Sequence, residues 1–268
     1  MHDILLPTTD AYDRNAASVY AAQLAAGLRA SLSALYIVQP FLGGPDFNSP
    51  GVIAEAVGYL LEQRKAAVEG AEPFMDWAQR QGVEGPRWET SDAPFARAVA
   101  TAACWHDVIV LQADVDRETG RAATLGEVLL TCGRPCIVVR GVSAAPPRRI
   151  AVAWNGSGEC IRAVHSALGL LQRADDVVVL QSEPTAQSAA LLPRIDAYLE
   201  RHGIRAIRHP HKIGDRAPGE SLLLAAEANN ADLLVMGAYG HSRFSEWVLG
   251  GATRHVLEHA RLPVFLRH

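Results

Sequence analysis

Short apolar runs that do not alternate with polar residues occur twice over in the chain, in the same order each time. ILLPTTD (Ile4–Asp10) answers IAVAWNG (Ile150–Gly156), and ALYIVQP (34–40) answers VVLQSEP (178–184). WHDVIVLQADV (105–115) answers NADLLVMGAYG (230–240), and RPCIVVR (134–140) answers LPVFLRH (262–268). A strand that is apolar on both sides must be covered on both faces, as in a parallel sheet packed between helices. The stretches between the runs supply such helices: AVHSALGLLQRA (163–174) and SLLLAAEANNA (221–231) place apolar residues three and four apart. Each half therefore reads β-α-β-α-β-α-β-α-β. The expected architecture is α/β, two doubly wound units in tandem over residues 1–140 and 150–268. GVSAAPPRR (141–149), with its small residues and paired prolines, suits a linker between them.

The halves differ in one loop. After ADLLVM, the second half reads MGAYGHSRFSEWVLGGATRHVL (236–257), with Gly237, Gly240 and, nine residues on, Gly250 and Gly251. In an open parallel sheet, ligands sit beyond the carboxyl ends of the strands, and Gly237 and Gly240 follow such a strand. Bare backbone lets a ligand approach closely. Gly250 and Gly251 open the next helix, whose unpaired N–H groups and dipole favour an anion. The phosphates of a nucleotide would satisfy both features; the bland reading is that the glycines only make tight turns. In the first half, Gln112, Ala113, Asp114 and Val115 stand opposite Gly237, Ala238, Tyr239 and Gly240, and Ala122 and Ala123 stand opposite Gly250 and Gly251. Only the second half keeps the pattern.

G-x2-G-x9-G and a small residue, ahead of V-L-x-x-A-x-x-P-V at 256–264, resembles the universal stress protein family. The chain resembles its tandem form, strongly over 150–268 and weakly over 1–140. The resemblance implies Rossmann-like (adenine nucleotide alpha-hydrolase-like) domains, each a five-stranded parallel sheet with helices on both faces. It implies binding of ATP or AMP, with or without Mg, and pairing through the last strand. Carried over by position, Ala153 and Asn155 would lie near the adenosine and Ser182 beside the adenine. Met236, Gly237, Gly240, Gly250, Gly251 and Ala252 would contact ribose and phosphates. The family has aspartate where this chain has Asn155, and serine or threonine where it has Gly251. Asn155 keeps an acceptor and adds a donor. Gly251 removes a hydroxyl donor to phosphate, a loss of roughly 1–3 kcal/mol. The backbone N–H groups of Gly251, Ala252 and Thr253 remain, with the Thr253 hydroxyl as partial compensation. The matching positions of the first half, Pro7, Thr9, Ile37 and Gln112, predict no normal site there. Strands 135–139 and 263–267 could pair with each other inside one chain, as a pseudo-dimer, or join copies in a homo-oligomer; a proline at the start of each is compatible with either.

The sequence also argues against several classes. A formal charge of −4 disfavours a dedicated nucleic-acid binder. No run approaches the ~18 apolar residues needed to span a membrane, and Met1-His2-Asp3 does not open a secretory signal, so a cytoplasmic protein is expected. Cys104, Cys132, Cys136 and Cys160 lack metal-site spacing and read as reduced thiols, with no metal expected. NGSGEC (155–160) lacks the third glycine of a dinucleotide fingerprint, no phosphate-binding G-x-x-x-x-G-K-[ST] loop occurs, and GHSRF (240–244) lacks the closing glycine of a nucleophile elbow. His241, Arg243 and Trp247 in the glycine loop, His209 and His211, and Asp215 before a helix opened by Pro218 read as solvated, packing or capping residues. Residues 53–82 read as one long helical region with a charged, solvated face. The resulting expectation is an adenine-nucleotide-binding stress or signalling protein without a nominated catalytic residue. The alternatives are an interaction protein with a decayed site, or a slow ATP hydrolase.

Overall fold

A computed structural model describes residues 1–41, 49–114, 124–181, 186–210, 217–238 and 251–268. The first half runs β1 (Asp3–Thr8), α1 (Ala16–Leu28), β2 (Ser31–Ile37), α2 (Pro50–Glu69), α3 (Ala71–Arg80), β3 (Arg87–Ser91), α4 (Phe95–Ala103), β4 (Val108–Gln112), α5 (Thr124–Thr131) and β5 (Cys136–Val139). The second runs β6 (Arg149–Trp154), α6 (Gly158–Leu171), β7 (Asp176–Gln181), α7 (Ala186–Arg201), β8 (Ala206–Pro210), α8 (Pro218–Ala228), β9 (Leu233–Gly237), α9 (Gly251–His259) and β10 (Val264–Arg267).

All ten strands form one sheet in the order β3-β2-β1-β4-β5-β10-β9-β6-β7-β8. Pairs within each half are parallel, while β5 and β10 meet antiparallel, with Val138 opposite Val264, Ile137 opposite Phe265 and Cys136 opposite Leu266. The two halves thus share one strand order and join at their last strands. This corrects the expectation of a homo-oligomer built through 135–139 and 263–267. Each of those strands already has a neighbour on both sides, and the free edges are β3 and β8. Pro135 and Pro263 fall just before the paired residues, where a missing N–H does no harm. Their carbonyls accept from Ile109 and Leu234 N–H at 3.0 Å each.

Successive side chains point to opposite faces, so every strand feeds two cores. On one face Ile4, Leu6, Ile137, Phe265, Val235 and Val152 pack with Tyr20 and Leu24 of α1 and Val164 and Leu171 of α6. On the other, Leu5, Ile109, Val138, Val264 and Leu234 pack with Val99 of α4, Val128 of α5, Ala226 of α8 and Val256 of α9. Both clusters run across the β5–β10 seam, so the halves share their interior.

The same device fastens the first strand of each half. The Asp107 carboxylate accepts from the N–H groups of His2 and Asp3 at 2.5 and 3.3 Å, and Asp232 accepts from Arg148 and Arg149 N–H at 2.9 and 3.0 Å. Partial burial pushes the Asp107 carboxyl up, but these bonds outweigh it and hold it below the usual carboxylate range.

The region 53–82 is two helices rather than one. Pro73 has no N–H to give to Glu69 and its ring crowds that carbonyl, which stops a continuous helix. At Gly70 a Cβ would lie 2.6 Å from the Ala11 Cβ and 2.7 Å from the Ala66 carbonyl oxygen, so the joint closes down on its surroundings. The far end of α2 is pinned by Trp88, whose Nε1–H donates to the Ala67 carbonyl at 2.8 Å. Most of α2 is exposed, including Ile53, Val57 and Leu61, so its face is less polar than the charge pattern suggested.

Two outcomes are expected. Phe265→Ala, at a fully buried seam residue, should cost about 3–5 kcal/mol in guanidinium denaturation. Asp107→Asn should flatten the acid limb of stability. A carboxyl depressed by folding stabilises above its unfolded pKa, near 4, and loses that contribution as pH falls through its folded value. The variant's urea midpoint should therefore drop less than the native protein's as pH is lowered below about 4.

Candidate functional site

β6 and β9 lie side by side, with Val152 level with Val235, so Ala153, Trp154 and Asn155 leave the sheet beside Met236 and Gly237. The chain turns sharply there. Asn155 Oδ1 accepts from Ser157 N–H at 3.0 Å, Gly156 adopts φ +75°, and Ser157 Oγ accepts from Cys160 N–H at 3.2 Å to cap α6. The exposed Asn155 amide nitrogen makes no hydrogen bond among the described residues, a donor that an aspartate could not offer.

This turn carries the first turn of α6 against β9. A Cβ on Gly237 would sit 2.6 Å from Cys160 N and 2.7 Å from the Glu159 carbonyl carbon, both backbone atoms. Gly237 is therefore required by a close strand–helix approach. Glu159 and Cys160, which the sequence reading gave no part in the site, complete this corner. The Cys160 thiol donates to the Ala153 carbonyl at 2.9 Å, and burial pushes it up to about 12, which leaves it protonated. Burial also raises the Glu159 carboxyl, but hydrogen bonds from its own backbone and from Arg162, together with the Arg162 charge at 2.7 Å, bring it below its ordinary value. The signal that could have placed these residues is Ser157, a capping type three positions before Cys160.

The start of α9 forms the other wall. Gly251 is exposed, and among the described residues no atom beyond its chain neighbours and its own helix backbone lies within 4 Å of where its Cβ would be. Ala252 is half-buried, but Thr253 is only 5% exposed, so its hydroxyl is poorly placed to stand in for the one missing at Gly251. Gly219 of α8 holds this end in place, since a Cβ there would lie 2.8 Å from the Ala252 carbonyl oxygen and from the His255 Cβ. Met236 is buried in the core behind the site. Ser182, Gly240 and Gly250 lie outside the described residues, as do His211, Asp215, His241, Arg243 and Trp247.

The first half treats the same corner differently. Gln112 occupies the position of Gly237, and its Oε1 accepts from Ala17 N–H, in the first turn of α1, at 3.2 Å. Asn15 Oδ1 takes Ser18 N–H at 3.0 Å, and Asp10 Oδ1 takes Tyr12 and Asp13 N–H at 2.8 and 3.0 Å. The caps by Asn15 and Ser157 match in the two halves, whereas the Gln112 bond to α1 has no counterpart at Gly237. Among the described residues, no group of three or more His, Cys, Asp or Glu is placed to hold a metal ion, and no helix is long and apolar enough to cross a membrane.

Residues 147–267 match the Universal stress protein family. The second half of the chain carries the match to this family's domain. It is similar to the universal stress protein Slr1230 of Synechocystis sp., 27% identical over 146 residues, which cover 53% of this chain and 50% of that one. The match thus spans about half the length of this curated relative. Among solved structures, a universal stress protein from Archaeoglobus fulgidus superposes with a TM-score of 0.73 at 17% identity, over 99% of this chain and 95% of its own. A functionally unknown protein of Pseudomonas aeruginosa superposes with a TM-score of 0.58 at 15% identity, over 100% and 92%. At these identities the structures speak for the fold, and they extend it to the first half, which the family match does not reach.

The two glycines should respond differently to alanine. Gly237→Ala is expected to lose about 1–3 kcal/mol, because backbone atoms must move. Gly251→Ala should stay within about 0.5 kcal/mol of the native protein in the same denaturation measurement.

Proposed function

We propose that the second half holds an adenine nucleotide, ATP or AMP, in the crevice bounded by the ends of β6 and β9 and the start of α9. The observation that carries this reading is Gly251, which opens α9 with no side chain and, among the described residues beyond its own helix, no atom within 4 Å of where a Cβ would project. The first amides of a helix in such a position attract phosphate oxygens. Asn155, at the end of β6, presents its amide donor to a sugar or base acceptor. The first half, where Gln112 caps α1 internally, takes no part in binding. Occupancy would act as a signal, and no residue near the crevice is nominated for turnover.

A second reading is favoured by Gly237. Its bare backbone is explained by packing against Cys160 and Glu159 alone, so a glycine of the motif persists whether or not nucleotide binds. On this reading the protein works through surfaces such as the exposed apolar residues of α2.

Calorimetric titration with ATP and AMP separates the two. The first reading expects micromolar binding at about one site per chain. It also expects Gly251→Ser to tighten binding about tenfold, since a hydroxyl bonded to a charged oxygen contributes about 1.5–3 kcal/mol and tenfold is about 1.4. Absence of binding in both the native protein and Gly251→Ser would leave the interaction reading standing.

A further inference from the structure

We propose that Cys132 and Cys136 are a dithiol that a hydroperoxide converts to a disulfide, Cys132 being the sulfur attacked and Cys136 the one that resolves it. The inference is independent of nucleotide binding.

The two sulfurs lie 3.6 Å apart. Local structure brings them together. Cys132 closes the last turn of α5, its N–H bonded to the Val128 carbonyl at 2.9 Å. Gly133 then turns the chain at φ +62°, and Arg134 and Pro135 lead directly into Cys136, the first residue of β5. A disulfide needs about 2.05 Å between sulfurs, so the two have roughly 1.5 Å to close.

The roles follow from two separate asymmetries. Both are buried, Cys136 completely and Cys132 to within 4%, so of the two Cys132 lies nearer the surface. The hydrogen bond between the two sulfurs holds the Cys132 thiol below the ordinary range against the opposing effect of burial, and the same bond with burial pushes Cys136 well above it; both sulfurs also lie by the Arg134 carbonyl, at 3.3 and 3.8 Å. The sulfur that carries thiolate is therefore also the one nearer the surface. The remaining cysteines lack such a partner. Cys160 is committed to the Ala153 carbonyl, and Cys104 lies exposed on α4's end with its S–H directed to the Ala100 carbonyl at 3.5 Å.

The chemistry balances. The Cys132 thiolate attacks the distal oxygen of the peroxide, an S–O bond forms, the O–O bond breaks, and an alcohol or water leaves with a proton. Sulfur has lost two electrons and the peroxide has gained them. The Cys136 sulfur then attacks the sulfenic sulfur; the S–S bond forms, the S–O bond breaks, and hydroxide departs with the Cys136 proton as water. Because Cys136 faces Leu266 across the antiparallel pair, the new bond would clamp the end of α5 to the strand that joins the halves.

The test uses the full chain with Cys104→Ser, to silence the exposed thiol, treated with hydrogen peroxide. Intact mass should fall by two hydrogens, and peptide mapping should find residues 132 and 136 cross-linked. Adding Cys136→Ser should leave a sulfenic acid at Cys132 that dimedone traps, and adding Cys132→Ser should leave Cys136 unmodified under the same conditions. The proposal is overturned if both thiols stay reduced in folded protein at peroxide levels that oxidise the unfolded chain. It is equally overturned if Cys136 reacts when Cys132 is absent. Circular dichroism verifies that the variants are folded; if either is not, the mass change of the Cys104→Ser protein decides alone.

Discussion

Three residues of β5 laid antiparallel against three of β10 hold the two halves in one sheet. So short a ladder supplies few hydrogen bonds, and each is worth only about 1 kcal/mol net. Its strength comes from what it aligns. With Ile137 facing Phe265 on one side of the sheet and Val138 facing Val264 on the other, both apolar layers pass through the seam without interruption. Arg140 adds a polar stitch, donating to the Leu257 carbonyl of α9 at 2.8 Å while pairing with Asp114 at 3.1 Å. Both side chains of that ion pair are about one-third exposed, so its contribution is modest beside the burial.

The repeat and the strand runs were legible in the primary structure for one reason. A strand buried on both faces must be apolar throughout, and that requirement is written locally, in runs such as VIVL and DLLVM. Proline before β5 and β10 was equally readable, because its missing donor is tolerated at only a few positions of a sheet. What escaped depends on distances between elements. Nothing in a helical pattern says that Gly70 lies against Ala11, or that Pro73 will split the region rather than kink it. Gly237 could be seen to need bare backbone, but whether a ligand or a helix demanded it depends on how far α6 advances, which Ser157 and Gly156 decide. Thr253 was credited with an accessible hydroxyl that its place in the first turn of α9 largely buries.

Comparing the halves separates what the architecture requires from what a site requires. Asp107 and Asp232 do the same mechanical task, anchoring the opening amides of β1 and β6, and both halves retain them. Gln112 and Gly237 stand at matching positions and have parted. One supplies a side-chain acceptor to the adjoining helix; the other lets that helix come into van der Waals contact with the strand. A single residue thus determines whether the corner is closed by its own chain or shaped by the approach of α6.

Residues 141–148 between β5 and β6 turn an association into an internal event. If the two halves were separate polypeptides, pairing of their last strands would follow mass action and weaken on dilution. Tethered by so short a segment, each half meets the other at an effective concentration of about millimolar, whatever the amount of protein present. A substitution that weakens the seam would then appear as local opening and reclosing, with no partner lost. Such insulation lets the halves differ: the first carries Gln112 where the second carries Gly237, and the shared seam holds both in place.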